Sequence, residues 1–426
     1  MSIRIGRSGS AASAGYSPIG AAFDALYYRS LYADEGYPKS FSDMHTLTRA
    51  STKYAQNLAG VWTEFASGVA AITDRGILIE ESRTNSIRNS STQGAGSGVQ
   101  PTNWVSSATA NNVTRTIGSP GVSAQGIEFM SYQYAGTPSA SSTYGVGGES
   151  VTQIAASSGQ TWTASFFVRL AAGSDANATF NVIIRERDAG GASLALTTGP
   201  AFVPTSSWQR VSVTRTFTEA TTAFVSASVG ASYTNGLAID STLEIGWPQL
   251  ELGAFATSPI RTTNAAATRA ADVITIDPKY SSLAQGSAYF EWDEIVGPVG
   301  SEARAFALRV DANERMQLAI TNPSSLVIFT TVSGGVASAS PVSASAVVLA
   351  NTYKAAIRWG TNDVAMDLTA SLGDPAPDVS CVMPVGAHNI SIGNSGSPGS
   401  FFNRYIRRLT FYPRKLTDAE LGALVA

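Results

Sequence analysis

Apolar and polar positions alternate with a period of two through most of the chain, the pattern of strands with one buried face. The alternation is clearest at 161–170 (T-W-T-A-S-F-F-V-R-L), 179–186 (T-F-N-V-I-I-R-E), 208–217 (W-Q-R-V-S-V-T-R-T-F) and 222–229. It returns at 286–295, 305–310, 316–321, 326–332, 352–359, 365–369, 388–392 and 405–412. Short strands at such spacing, with Gly- and Ser-rich turns between them, predict β-sandwiches. Between the two sets, Leu243, Ile245 and Trp247 alternate with Glu244 and Gly246, and Leu250 and Leu252 carry the pattern past Pro248. Proline cannot donate to a ladder, so an edge or a bulge is expected at Pro248. The chain is then small and polar from Thr257 through Arg269, and Val273, Ile274 and Ile276 begin a new apolar strand. A domain boundary is expected there.

Other local patterns are more specific. Ile77, Leu78 and Ile79 predict a strand over 76–80 buried on both faces. The mixed segment 41–72 predicts a β-hairpin with Trp62 and Phe65 packing inward, and Asn235-Gly236 is a hairpin turn signal. Thr417 with Glu420 has capping-box spacing and predicts a short terminal helix. Towards the N-terminus, Gly-, Ala- and Ser-rich residues 8–17 predict a loose arm. Phe23, Leu26, Tyr27 and Leu31 lie at helical spacing, so 21–32 is expected to form a short amphipathic helix exposing Tyr28 or Tyr32. Such a helix either docks on a larger assembly or packs on the first sandwich.

A length of 426 residues suits two domains plus an extra segment, or three domains, and the small, polar, turn-rich composition suits many short strands. The net charge of −3 predicts no general attraction to nucleic acid or to an anionic membrane. Of the 28 basic residues only Lys39, Lys53, Lys279, Lys354 and Lys415 are lysine. Arginine makes bidentate contacts with carboxylates, those of acidic sugars included, but a codon bias is the simpler account of the excess. A lone Cys381 excludes a disulfide within the chain. Residues 1–10 lack the apolar core of a signal peptide, and no apolar run approaches the ~20 residues of a membrane span.

The run 247–273 (W-P-Q-L-E-L-G-A-F-A-T-S-P-I-R-T-T-N-A-A-A-T-R-A-A-D-V) resembles the joint of many tailed-phage virion appendage proteins. In these, as in related proteins of phage-derived gene transfer agents, a carbohydrate-binding-module-like jelly roll precedes a concanavalin A/laminin-G-like one. Residues 76–85 (G-I-L-I-E-E-S-R-T-N) are similar to the segment that opens their first jelly roll. Residues 407–421 (R-R-L-T-F-Y-P-R-K-L-T-D-A-E-L) resemble their last strand and helix. The resemblance implies an all-β chain: an N-terminal anchor and oligomerisation segment at 1–75, then jelly rolls at 76–262 and 263–426. It further implies a tail fibre or tip, or a head spike or fibre, made in the host cytoplasm and displayed on the virion surface. Such a protein binds host surface polysaccharide, meets other virion proteins through its N-terminal segment, and forms a trimer or pentamer.

Glu291 and Asp293 share one strand face as the first two carboxylates of a jelly-roll glucanase would, but the third position is Val296, so no catalytic residue is expected. His45 and His388 are the two histidines, too few for a histidine metal cluster, and no G-x-S-x-G lies near either. No cofactor is expected. A structural calcium is left open, with Asp240, Glu244 and Glu128 as candidate ligands. Sugar binding needs exposed aromatic faces. Trp162, Trp208 and Trp247 occupy core-type positions, which leaves Trp104, Tyr132, Tyr134, Tyr144 and Tyr233 as candidates in loops. Arg309, Arg315 and Arg404 are candidate clamps for an acidic sugar, with Asp311 and Glu314 as competing ion-pair partners. A non-enzymatic glycan binder leads this reading. A purely structural decoration or adaptor protein is the alternative, and a depolymerase comes a distant third.

Overall fold

The computed structural model describes residues 20–107, 111–174, 176–295, 302–395 and 400–426. The expected loose arm at 8–17, the N-terminal decapeptide and Val296 lie outside the described residues. The protein is all-β and built from two jelly-roll-type β-sandwiches. Each sandwich forms one of two compact units, and the units draw on interleaved rather than consecutive stretches of chain. The first unit takes residues 1–49, 68–81 and 272–426; the second takes 50–67 and 82–271.

In the first unit, a nine-stranded sheet centres on Arg404–Tyr412 and Gln285–Asp293, and an eight-stranded sheet on Ala303–Arg309 and Asn389–Ile392. Aromatic contacts join their inner faces, Phe290 to Phe306 at 6.1 Å and Phe329 to Trp359 at 6.0 Å. The edge of Arg404–Tyr412 away from Gln285–Asp293 is shared. Phe23–Leu26 pairs with its C-terminal half and Gly76–Ile79 with its N-terminal half. His45–Thr48 closes the eight-stranded sheet beside Val273–Ile276.

Several local expectations change at this point. Residues 21–32 form the strand Phe23–Leu26, a 3-10 turn Tyr27–Arg29 and the start of the strand Leu31–Asp34, not a helix. All four residues of Phe23–Leu26 are buried. Phe23 packs on Phe411 and Tyr280, while the Asp24 carboxylate on the opposite face meets Arg408 and Thr410. A strand covered on both faces carries no polar–apolar alternation, so the spacing mimicked a helix. Tyr32 is buried against Phe41 and His45. Gly76–Ile79 is buried throughout, as the sequence predicts, but it belongs to the unit formed mainly by the C-terminal residues.

In the second unit, a five-stranded sheet (Thr114–Val122, Glu128–Gly136, Ile239–Leu252, Thr161–Ser174, Gln209–Thr216) faces a six-stranded one. The core between them joins Trp162, Phe166 and Leu243 from one sheet to Phe180, Val182 and Val229 from the other. Ile239–Leu252 is the central strand, and Pro248 sits in a bulge. Gly246 faces Phe167 and Gln249 faces Ser165, so Trp247 and Pro248 oppose Phe166 alone. Trp247 has φ +41° there and packs on the outer face with Phe167 and Ile127. The expected hairpin Lys53–Gln56/Trp62–Phe65 supplies Trp62 to that cluster, edge-on to both Phe167 and Trp247. Asn235-Gly236 does turn the chain, with Gly236 at φ +77°. It joins Phe224–Tyr233 to Ile239–Leu252, however, and these lie in opposite sheets, so the turn is an arch across the sandwich and not a hairpin. The C-terminal helix Asp418–Val425 carries the predicted capping box of Thr417 and Glu420.

Candidate functional site

The five aromatic candidates do come together, but inside the core. Trp104 is 3% exposed, Tyr132 0%, Tyr134 1%, Tyr144 5% and Tyr233 4%. Tyr134 and Tyr144 stack at 3.8 Å, Tyr233 lies 6.1 Å from Tyr144, and Trp104 Nε1 donates to the Asn89 carbonyl at 2.6 Å. The exposure expected of these rings is therefore corrected. Residues 128–147 are not a loop but two strands, Glu128–Gly136 and Ser142–Gly147, whose inward positions include Tyr132, Tyr134 and Tyr144. The many glycines, serines and threonines around them disguised the alternation.

The arginine candidates are also committed within the fold. Arg404 is buried, with Nε 2.7 Å from both Glu294 carboxylate oxygens. Arg309 and Arg315 are direct cross-strand partners. Arg309 donates to the Asp311 and Ser395 carbonyls, and Arg315 to the Ala312 carbonyl. The Asp311 and Glu314 carboxylates accept backbone amides, those of Asn313 and Gly334 among them.

Glu291 and Asp293 share a strand face as predicted. Arg407 holds Glu291 at 2.6 Å, while Asp293 accepts from Thr352 and lies 3.5 Å from Arg75. Of the calcium candidates, Glu128 is bound bidentately by Arg261, Glu244 by Arg169, and Asp240 by Gln133. Among the described residues, no group of three or more His, Cys, Asp or Glu is gathered to hold a metal. His45 Nδ1 donates to the Phe41 carbonyl at 3.0 Å, so Nε2 accepts from the Tyr27 hydroxyl at 2.9 Å. Burial pushes the His45 imidazole down to about 4. Burial also lowers His388.

What the second unit offers is a groove of about 320 Å3 on the outer face of its six-stranded sheet. The period of two builds it. Phe180, Val182 and Ile184 of Ala178–Arg187 point into the core, so Asn181, Ile183, Arg185 and Arg187 point out. On the neighbouring Phe224–Tyr233, Val225, Val229 and Ala231 point in, leaving Ser226, Ser228, Gly230 and Ser232 outward. Register sets Arg185 opposite Ser226, and Asn181 opposite Gly230, which in turn faces Gly145. Small residues on the middle strand and longer ones beside it make the depression. At Gly230 the close approach is obligatory, since a β-carbon would lie 2.0 Å from the Tyr144 carbonyl oxygen.

The charges in the groove are unbalanced. Arg187 donates from Nε to Ser226 at 2.6 Å and from Nη1 to the Gly191 carbonyl at 2.8 Å. Arg185 donates from Nη1 to the Ser228 hydroxyl at 3.4 Å. Neither guanidinium meets a carboxylate among the described residues. The lining Glu149 is taken by Arg88, with hydrogen bonds of 2.9 and 2.7 Å. Burial lowers the pKa of both arginines, and the charge of Arg185 lowers Arg187 further. Glu186, between them in sequence, faces the other way. Burial works to raise its carboxyl, but bonds from Thr222, the Glu219 amide and Arg215 outweigh it and hold the group below the usual range. The sequence reading missed Arg185 and Arg187. Their signal was a polar alternation, Asn181, Arg185 and Arg187, beside the small-residue series Ser226, Ser228, Gly230 and Ser232.

No family model matches the chain, and no curated protein does. Solved structures do. The CBM40 module of Ruminococcus gnavus IT-sialidase bound to α2,3-sialyllactose is 16% identical, covering 34% of this chain and 84% of that one at a TM-score of 0.29. The CBM22 tandem of Paenibacillus barcinonensis Xyn10C is 12% identical, covering 78% and 96%, with a TM-score of 0.26. Mouse laminin α1 LG4-5 is 8% identical over 63% and 93%, with a TM-score of 0.21. Likenesses this distant carry no argument about ligand or activity.

Proposed function

We propose that this protein is a non-catalytic carbohydrate-binding protein of a virion surface that attaches the particle to host polysaccharide. The observation that carries the binding reading is the groove, open along one sheet face and lined by hydroxyl, amide and guanidinium groups that match the donors and acceptors of a sugar chain. The virion setting, in a tail fibre or tip or a head spike, rests on the resemblance of residues 247–273, 76–85 and 407–421 to phage appendage proteins. The N-terminal residues would meet other virion proteins, and a homotrimer or pentamer would multiply weak sites into firm attachment. The non-catalytic reading is supported by Glu291 and Asp293, whose carboxylates are engaged by Arg407 and Thr352.

The test is binding of the purified protein to host cells with and without their capsule polysaccharide. Loss of binding on capsule removal is the expected result; equal binding to both, or none, overturns it. A second reading, a decoration protein whose sandwiches bind only protein neighbours, is favoured by one observation. Val379, Val382 and Val385 are 73%, 59% and 70% exposed, apolar surface suited to a protein contact.

A further inference from the structure

We infer that the groove selects an acidic sugar, one carrying a carboxylate or sulfate, with Arg185 and Arg187 as the clamp on its anionic group. This inference rests on the binding reading above and narrows it to a ligand class.

Several partly or fully buried arginines elsewhere are matched by carboxylates, Arg49 by Asp272, Arg215 by Glu186, Arg404 by Glu294 and Arg408 by Asp24, while Arg115 is held by the Ser106 and Ser107 carbonyls. Arg185 and Arg187 have no carboxylate among the described residues, although they lie two residues apart on one strand face, roughly 7 Å along the strand. Two half-buried like charges disfavour each other and are costly without a counter-charge. An anionic ligand supplies that counter-charge. A guanidinium fork fits the paired oxygens of a carboxylate or sulfate, and Arg187 is already oriented by Ser226 and the Gly191 carbonyl.

The groove also lacks an exposed aromatic platform. A neutral pyranose is usually held by stacking its C–H face on an exposed aromatic ring. The one aromatic residue lining this groove is Tyr144, and its ring is turned to the core, stacked on Tyr134. The floor beside Arg185 and Asn181 is Ser226, Ser228 and Gly230, which hydrogen-bond or admit a ligand but stack with nothing. Affinity must come from charge and hydrogen bonds.

The test uses the full chain on an array of uronate-containing, sialylated, sulfated and neutral glycans, with a thymidine oligonucleotide as a polyanion that is not a glycan. Titration calorimetry then compares the best acidic glycan with its carboxyl-reduced or desulfated form. The variants are Arg185→Gln and Arg187→Gln, with Arg414→Gln as a control in the other unit. Thermal unfolding confirms that each variant is folded. The expected result is acidic-glycan binding that weakens about 10-fold or more when the acid is removed or either groove arginine is replaced, and is unchanged in the control. Neutral glycans bound as tightly, or acidic glycans indifferent to both substitutions, would overturn this inference while leaving glycan binding intact. No binding of any glycan by the folded protein overturns the binding reading itself. Tighter binding of the oligonucleotide than of any glycan overturns both.

Discussion

At the scale of single residues, the protein buries polar groups in matched sets, and the exceptions are informative. Arg404 and Glu294 are each about 1% exposed and joined at 2.7 Å. Replacing Glu294 with Gln keeps the shape and leaves the guanidinium buried without its counter-charge. The expected loss is about 3 kcal/mol, measured as a shift in the urea midpoint. His45 makes a different prediction. Its folded pKa is about 4 against an ordinary 6.5, because burial among Phe23, Tyr27, Tyr32 and Phe41 disfavours the cation. The neutral form is therefore the one the fold accepts. Above pH 6.5 folded and unfolded chains are both neutral at this position and nothing is lost. As pH falls from 6.5 towards 4 the unfolded chain takes a proton the folded chain refuses, and stability drops by about 3 kcal/mol. His45→Phe should flatten the contribution over that window; an unchanged slope between pH 6.5 and 4 would refute it.

At the scale of elements, strand positions were legible wherever one face meets the core and the other meets solvent. The segments at 161–170, 179–186 and 352–359 all fall within strands close to the predicted bounds, and the Thr417 capping box was readable residue by residue. Legibility failed for two physical reasons. Phe23–Leu26 is covered on both faces, so it has no period of two. Glu128–Gly136 and Ser142–Gly147 bury tyrosines between small polar residues, so a core strand passed for a polar loop with aromatic platforms. The groove belongs to this scale as well, because it is a depression set by cross-strand register. Gly230→Ala would place a β-carbon against the Tyr144 carbonyl and force Ser142–Gly147 away from Phe224–Tyr233. A loss of roughly 1–3 kcal/mol is expected, seen in thermal or urea unfolding, with ligand binding weakened in the same variant.

At the scale of the whole molecule, the chain passes between its two units four times, after residues 49, 67, 81 and 271. A cut at the composition boundary therefore has unequal consequences. Fragment 272–426 lacks Phe23–Leu26, His45–Thr48 and Gly76–Ile79, and strips the strand Arg404–Tyr412 of both partners on one edge. It is expected not to fold alone. Fragment 82–271 keeps every strand of its two facing sheets and loses only the hairpin that covers Trp247, so it should fold, with reduced stability. Amide chemical-shift dispersion of the two fragments decides the matter: a dispersed spectrum for 272–426 contradicts the interleaved assembly.

The sequence by itself determined the all-β class, most strand positions, an interruption of the ladder at Pro248 and the terminal helix cap. Each of these follows from local periodicity or from the chemistry of one residue. Only the tertiary structure decided which strands share a sheet, that the N-terminal strands complete a sandwich formed mainly by the C-terminal residues, and which polar faces meet. Pairing between residues hundreds of positions apart, such as Phe23 with Phe411, leaves no local trace. The same holds for Arg185 and Arg187. Their outward direction was written in the alternation, but the absence of a carboxylate opposite them among the described residues is a property of the assembled sheet.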